Sequence, residues 1–119
     1  MADAESDLLR SSLDLLILKA LTWGPMHGYG ISEWIETATD DTLLVEEGTL
    51  YPALHRLERR KWITAEWGLS DNNRRAKFYR LSAAGRARFR TEEPVWHRYA
   101  EAIALALRSS APAAVSGAS

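Results

Sequence analysis

The apolar positions of the chain change period along its length, and the changes divide it into elements. Between Ser6 and Thr22, Leu9, Leu13, Leu16, Ile17 and Leu21 recur at steps characteristic of one face of a helix. The Trp23-Gly24-Pro25 run ends that helix. His27-Gly28-Tyr29-Gly30 leads into Ile31, Trp34 and Ile35, which predicts a short second helix, and the Thr- and Asp-rich stretch Thr37 to Thr42 predicts a loop. Glu46 to Lys61 predicts a third helix with Leu50, Leu54 and Leu57 on one face and Thr49, Pro52, His55, Arg56, Arg59 and Arg60 largely on others. Pro52 is expected in its first turn, where a missing N–H costs little.

The pattern then shortens. Trp62 to Trp67 and Lys77 to Leu81 are β-prone runs separated by the turn formers of Gly68 to Arg75, a hairpin with a polar, basic tip. Ser82 is placed to cap a long fourth helix in which Phe89, Trp96, Tyr99, Ile103 and Leu107 form a heptad-like stripe. Pro94 interrupts that stripe, so the helix is expected to kink there or to restart with Thr91 as a new cap. From Ser109 the chain is Ala, Ser, Pro, Val and Gly without charge, a tail expected to be disordered. Three helices, a hairpin and a last helix describe a mainly α protein with a small β-hairpin: a winged helix-turn-helix over residues 1–81, followed by a long C-terminal dimerisation helix over 82–108 and a tail over 109–119.

At 119 residues the chain fits one domain. It has no cysteine, which removes disulfide frameworks, thiolate nucleophiles and thiolate zinc sites. No long uncharged apolar run is present, and Met1 to Asp7 is acidic where a signal peptide carries basic charge, so a cytoplasmic protein with no membrane partner is expected. The net charge of -1 conceals a segregation. Met1 to Leu50 holds two basic residues against ten acidic ones, whereas Arg56 to Arg90 holds eleven basic against three acidic. That second segment suits a phosphate-binding face, because neutralised phosphates release their counterions; a solvated charged surface is the alternative.

The third helix offers Thr49, Tyr51, His55 and Arg56 for phosphate and base-edge contacts, with Tyr51 and Thr49 equally able to pack against the second helix. Arg56 lies off the leucine face and can make bidentate contacts. Asn73, Arg74, Arg75 and Lys77 at the hairpin tip suit backbone clamping, and Tyr79 follows them on the same strand. Tyr29, between two glycines, either meets phosphate at the start of the second helix or marks close packing. Arg59, Arg60 and Lys61 are read as charges at the negative end of the third helix. His27, His55 and His97 lack metal-ligand spacing, and no catalytic triad or phosphate-cradling loop is present, so neither cofactor, metal nor enzyme activity is expected.

Four segments taken together resemble the PadR family of transcriptional regulators: Leu13-Asp14-Leu15-Leu16-Ile17-Leu18, His27-Gly28-Tyr29-Gly30-Ile31, Glu47 to Glu58, and Arg74 to Gly85. The resemblance spans Leu8 to Leu107 and implies a homodimeric regulator, usually a repressor, that binds double-stranded DNA at an inverted repeat through Pro52 and its neighbours and often releases it on binding a small effector. The single last helix is similar to the family's compact branch, with Pro94 a departure from it. Leu9, Leu13, Phe89, Trp96, Tyr99, Ile103 and Leu107 are the expected dimer interface. Trp96 is read first as dimer-core packing; the compact multidrug-sensing members imply a second role, one wall of a slot for a planar aromatic effector. A winged-helix module for an acidic protein partner, or an aromatic-ligand binder, remain as alternatives.

Overall fold

A computed structural model describes residues 4–113. The elements follow in the order α1 (Ala4–Leu21), β1 (Met26–His27), α2 (Gly28–Ala38), α3 (Glu47–Arg59), β2 (Ile63–Leu69), β3 (Arg75–Leu81) and α4 (Ala83–Arg108). The fold is mostly helical with a small antiparallel sheet in the order β1-β3-β2. The predicted hairpin is therefore one edge of a three-stranded sheet: the two-residue β1, too short to carry a period, pairs Met26 with Tyr79 and His27 with Phe78.

The core is the convergence of the apolar stripes. Leu13, Ile17 and Leu21 of α1, Ile31 and Ile35 of α2, and Leu50, Leu54 and Leu57 of α3 are all buried, joined by Ile63 and Leu81 from the sheet. Full burial of each such side chain contributes roughly 1.5–3 kcal/mol, which makes this cluster the main source of the fold's stability.

Helix ends are set by specific contacts. His27 caps α2, its Nδ1 accepting from the N–H of Gly30 at 3.0 Å. α3 stops at Arg59 rather than Lys61, because Lys61 turns to φ 64 and closes a Schellman motif: its N–H donates to the Glu58 carbonyl at 3.0 Å and that of Trp62 to the Leu57 carbonyl at 3.1 Å. Backbone amides therefore satisfy these carbonyls at the end of α3. Pro52 lies in the second turn of α3, not the first; the donor it lacks would have served the Gly48 carbonyl, and Gly48 is exposed to solvent.

α4 begins as expected, with Ser82 Oγ accepting from the Gly85 N–H at 3.0 Å. It does not restart at Thr91. The helix runs through Pro94 to Arg108, and the Thr91 hydroxyl bonds back to the Ala87 carbonyl at 3.2 Å. Its first turn is docked on the wing root: the Ser82 N–H donates to the Trp62 carbonyl at 3.0 Å and the Ser82 hydroxyl to the Lys61 carbonyl at 2.6 Å. A Cβ on Gly85 would stand 1.8 Å from the Trp62 carbonyl oxygen, so only glycine fits. The expected disordered tail lies mainly outside the described residues; Ser109 to Ala113 are described and exposed.

These two glycine environments give opposite expectations. Gly85→Ala should destabilise by roughly 2–4 kcal/mol through forced separation of α4 from the sheet. Gly48→Ala, where a Cβ meets nothing within 4 Å, should be neutral or stabilise by up to about 1 kcal/mol. Urea denaturation of both variants checks the contrast.

Candidate nucleic-acid interface

The buried face of α3 determines what its other faces present. With Leu50, Ala53, Leu54 and Leu57 turned into the core, helical spacing puts Gly48, Pro52, His55 and Arg59 on the opposite stripe, and all four are exposed. Tyr51 and Arg56 flank this stripe on opposite sides. Tyr51 leans toward α2, where its hydroxyl and ring occupy the space a Cβ on Gly28 would need, the hydroxyl at 2.7 Å. Gly28 thus serves close packing, while Tyr51 stays 45% exposed and Tyr29 71% exposed.

Arg56 turns the other way, toward α1. Its Nη2 lies 2.5 Å from Asp14 Oδ1 and its Nε 3.3 Å from Asp14 Oδ2, a two-point pair that raises the guanidinium's pKa above its ordinary value. Asp14 borders two grooves, one between α1 and α3 and one between α1 and α4.

The wing is built from paired, alternating residues. Trp67 opposes Lys77 and Leu69 opposes Arg75, so these four share one sheet face with the pair Ala65 and Tyr79. The tip is closed by Ser70, whose N–H donates to the Arg74 carbonyl at 2.8 Å, and by Asn73 at φ 62, a conformation asparagine tolerates. Arg75 stacks over Trp67 at 4.8 Å. Lys77 sits 3.6 Å from Glu58 of α3, and Arg74 is exposed at the tip. Between this wing face, Tyr51 and the start of α2 runs an open groove of about 820 Å³, walled by Tyr29, Trp67, Arg74, Arg75 and Lys77 among others.

Elsewhere, α4 leaves the body of the protein. Phe89 is buried, but Trp96, Tyr99, Ile103 and Leu107 are exposed along the helix beyond it, and the molecule extends 66 Å along its longest axis. A groove of about 350 Å³ between α1 and α4 is lined by Leu15, Leu18, Trp62, Trp96, Tyr99 and Ile103. Among the described residues no helix is long and apolar enough to cross a membrane, and no three His, Asp or Glu side chains gather in a metal-holding group.

The PadR-like transcriptional regulator family profile matches residues 17–91. The chain belongs to this family. It is 35% identical over 101 residues to an uncharacterised protein of Lysinibacillus sphaericus, covering 84% of this chain and 92% of that one. Among solved structures it is similar to a transcriptional regulator from Clostridium thermocellum, with 32% identity, a TM-score of 0.73, and 82% and 95% of the two chains covered. A PadR-like transcriptional regulator from Bacillus cereus shares the fold at 22% identity, with a TM-score of 0.76 and coverage of 88% and 100%. PadR-like regulators bind DNA and are typically dimers.

Within this PadR-like fold the expected site residues separate. Pro52, His55, Tyr51, Tyr29, Asn73, Arg74 and Arg75 lie exposed on α3, the start of α2 and the wing. Three other residues from that set are placed differently. Tyr79 is 5% exposed and belongs to the core; Arg56 is held by Asp14 at the edge of α3; Lys77 is paired with Glu58. Thr49 is half-buried and lines the groove facing α1. Leu9, Leu13 and Phe89, expected at a dimer interface, are consumed by the protomer's own core. Two further residues join the surface unpredicted. Arg59, expected only as a charge at the helix end, stands seven residues from Pro52 and four from His55, and that spacing puts it on their stripe. Trp67, 58% exposed, shares its face with the wing cations, a placement that the strand register alone could have revealed.

Burial raises the Tyr79 pKa, with the Glu58 carboxylate and Tyr51 adding to the effect. The folded phenol therefore holds its proton where the unfolded one releases it near pH 10. Stability contributed by Tyr79 is fully present below that pH and is lost as pH rises above it. Urea midpoints compared between about pH 9 and about pH 11 should fall further in the wild type than in Tyr79→Phe.

Proposed function

We propose that this chain is a sequence-specific repressor that binds an inverted-repeat operator as a homodimer, placing its two α3 helices in successive major grooves and its wings on the flanking backbone. The reading rests chiefly on one observation: the outward stripe of α3, with His55 and Arg59, is exposed alongside a wing that carries Arg74 and Arg75. An exposed helix stripe suits a major groove, and the wing cations suit phosphates. Repression and an inverted repeat are what the family resemblance implies.

Dimerisation is assigned to the distal half of α4, where Trp96, Tyr99, Ile103 and Leu107 form an exposed apolar stripe that a second copy would cover. A small planar aromatic effector would enter the α1–α4 groove against Trp96, coupling ligand to dimer geometry.

Selection from a random duplex pool should return two half-sites about one helical turn apart. On the selected duplex, Arg59→Ala should relax preference at one position per half-site by about 1–3 kcal/mol, whereas Arg74→Ala should weaken all duplexes alike and reduce the salt slope by about one for each phosphate left without its cation. Recovery of no preferred sequence would remove the operator reading. Ile103→Glu, which puts a charge in the α4 stripe, should shift the protein to monomer in sedimentation equilibrium without unfolding the core formed by α1, α2, α3 and the sheet.

A further inference from the structure

Arg56, like Arg59, carries a guanidinium suited to a DNA contact, but its placement argues for a different task. Along α3 it stands about 70° from the centre of the stripe formed by Gly48, Pro52, His55 and Arg59, on the side facing α1. Both Asp14 oxygens receive its donors, one from Nη2 at 2.5 Å and one from Nε at 3.3 Å. Two parallel bonds fix the plane of a guanidinium in a way that a single contact does not. A guanidinium already facing a carboxylate also offers phosphate a largely neutralised partner.

The buried part of the α1–α3 contact is apolar: Leu13 and Ile17 are buried with Ala53 and Leu57 in one cluster. Such packing is strong but non-directional: it decides which face of α3 is buried, and leaves the finer roll within that limit less tightly specified. A directional pair at the edge of that contact supplies what the leucines lack.

We propose that the Asp14–Arg56 pair is a positioning clamp that fixes the roll of α3 against α1, so that Arg56 governs operator discrimination without touching DNA. The proposal rests on the DNA-binding reading above. It makes Asp14, an acidic residue of α1 that lies outside α3 and the wing tip, a determinant of sequence preference.

The test compares full-length wild type with Asp14→Asn, Arg56→Gln, the double variant and Arg56→Lys. Each is titrated with the duplex most enriched in selection and with a scrambled duplex, over a range of salt, well below its own thermal midpoint. A clamp predicts that Asp14→Asn and Arg56→Gln each reduce the preference for the selected duplex by about tenfold, and that the double variant is no worse than either single. Salt slopes should match the wild type. Arg56→Lys, which keeps the charge and loses the fork, should lose preference like Arg56→Gln; this variant decides the matter if the uncharged ones do not fold. The inference is overturned if Arg56→Gln lowers the salt slope by about one while Arg56→Lys binds normally, the signature of a phosphate contact. Equal weakening toward both duplexes would also overturn it, since that marks a structural role without effect on reading. A wild-type chain with no preference for any duplex would overturn the DNA-binding reading itself, and the clamp with it.

Discussion

Everything that α3 presents to solvent follows from the side it buries. Leu50, Leu54 and Leu57 are each at most 1% exposed, and rotating the helix by one residue position would carry a leucine toward water at a cost of roughly 1.5–3 kcal/mol. Gly48, Pro52, His55 and Arg59 are therefore held outward by the core rather than by any contact of their own. The missing helical hydrogen bond at Pro52 is tolerated because it falls on this solvent side, where water can serve the Gly48 carbonyl.

Charge along the chain overstates the charge available at the surface. Of the basic residues concentrated between Arg56 and Arg90, Arg56 faces Asp14, Lys77 faces Glu58, Arg80 faces Glu66 and Arg88 faces Glu92. Arg60 and Arg88 also lie over the Trp62 ring. Glu58 and Glu66 sit inside the basic segment and Glu92 just beyond it, whereas Asp14 comes from the acidic half of the chain. The cations outside those ion pairs lie at the C-terminal end of α3 (Arg59, Arg60, Lys61), at the wing tip (Arg74, Arg75) and on α4 (Arg86, Arg90), a smaller positive field than the residue count suggests.

The helices and the hairpin were legible because their apolar periods are long enough to be distinguished, and the Ser82 cap because its motif is local. Most of what escaped depends on a partner distant in sequence, the end of α3 being the local exception. β1 is two residues long and exists only through Tyr79 and Phe78 of β3. The end of α3 at Arg59 depends on Lys61 adopting φ 64, a conformation that a lysine does not advertise. Leu9, Leu13 and Phe89 have the spacing of either an interface or a core, and only their burial in the folded protomer, two of them on α1 and Phe89 on the docked start of α4, shows that the core takes them. The exposure of His55 and Pro52 was legible from the helix face alone, whereas the turning of Arg56 to Asp14, 42 residues away, was not.

α4 shows how one helix can serve two masters in sequence. Its first two turns are tied to the body by Gly85 against the Trp62 carbonyl and by buried Phe89. From Pro94 onward, nearly every residue is exposed, including Tyr99, Ile103, Leu105 and Leu107. A projecting segment of that length gains little from the tied end, and isolated helices shorter than about 12–15 residues are marginal in water even with the alanines this one contains. Its apolar side chains, moreover, lie on a surface where water opposes them. On the homodimer reading both deficits have one remedy: a second copy covers the stripe and supplies the packing that keeps the helix folded, so that the distal half of α4 and the dimer form together.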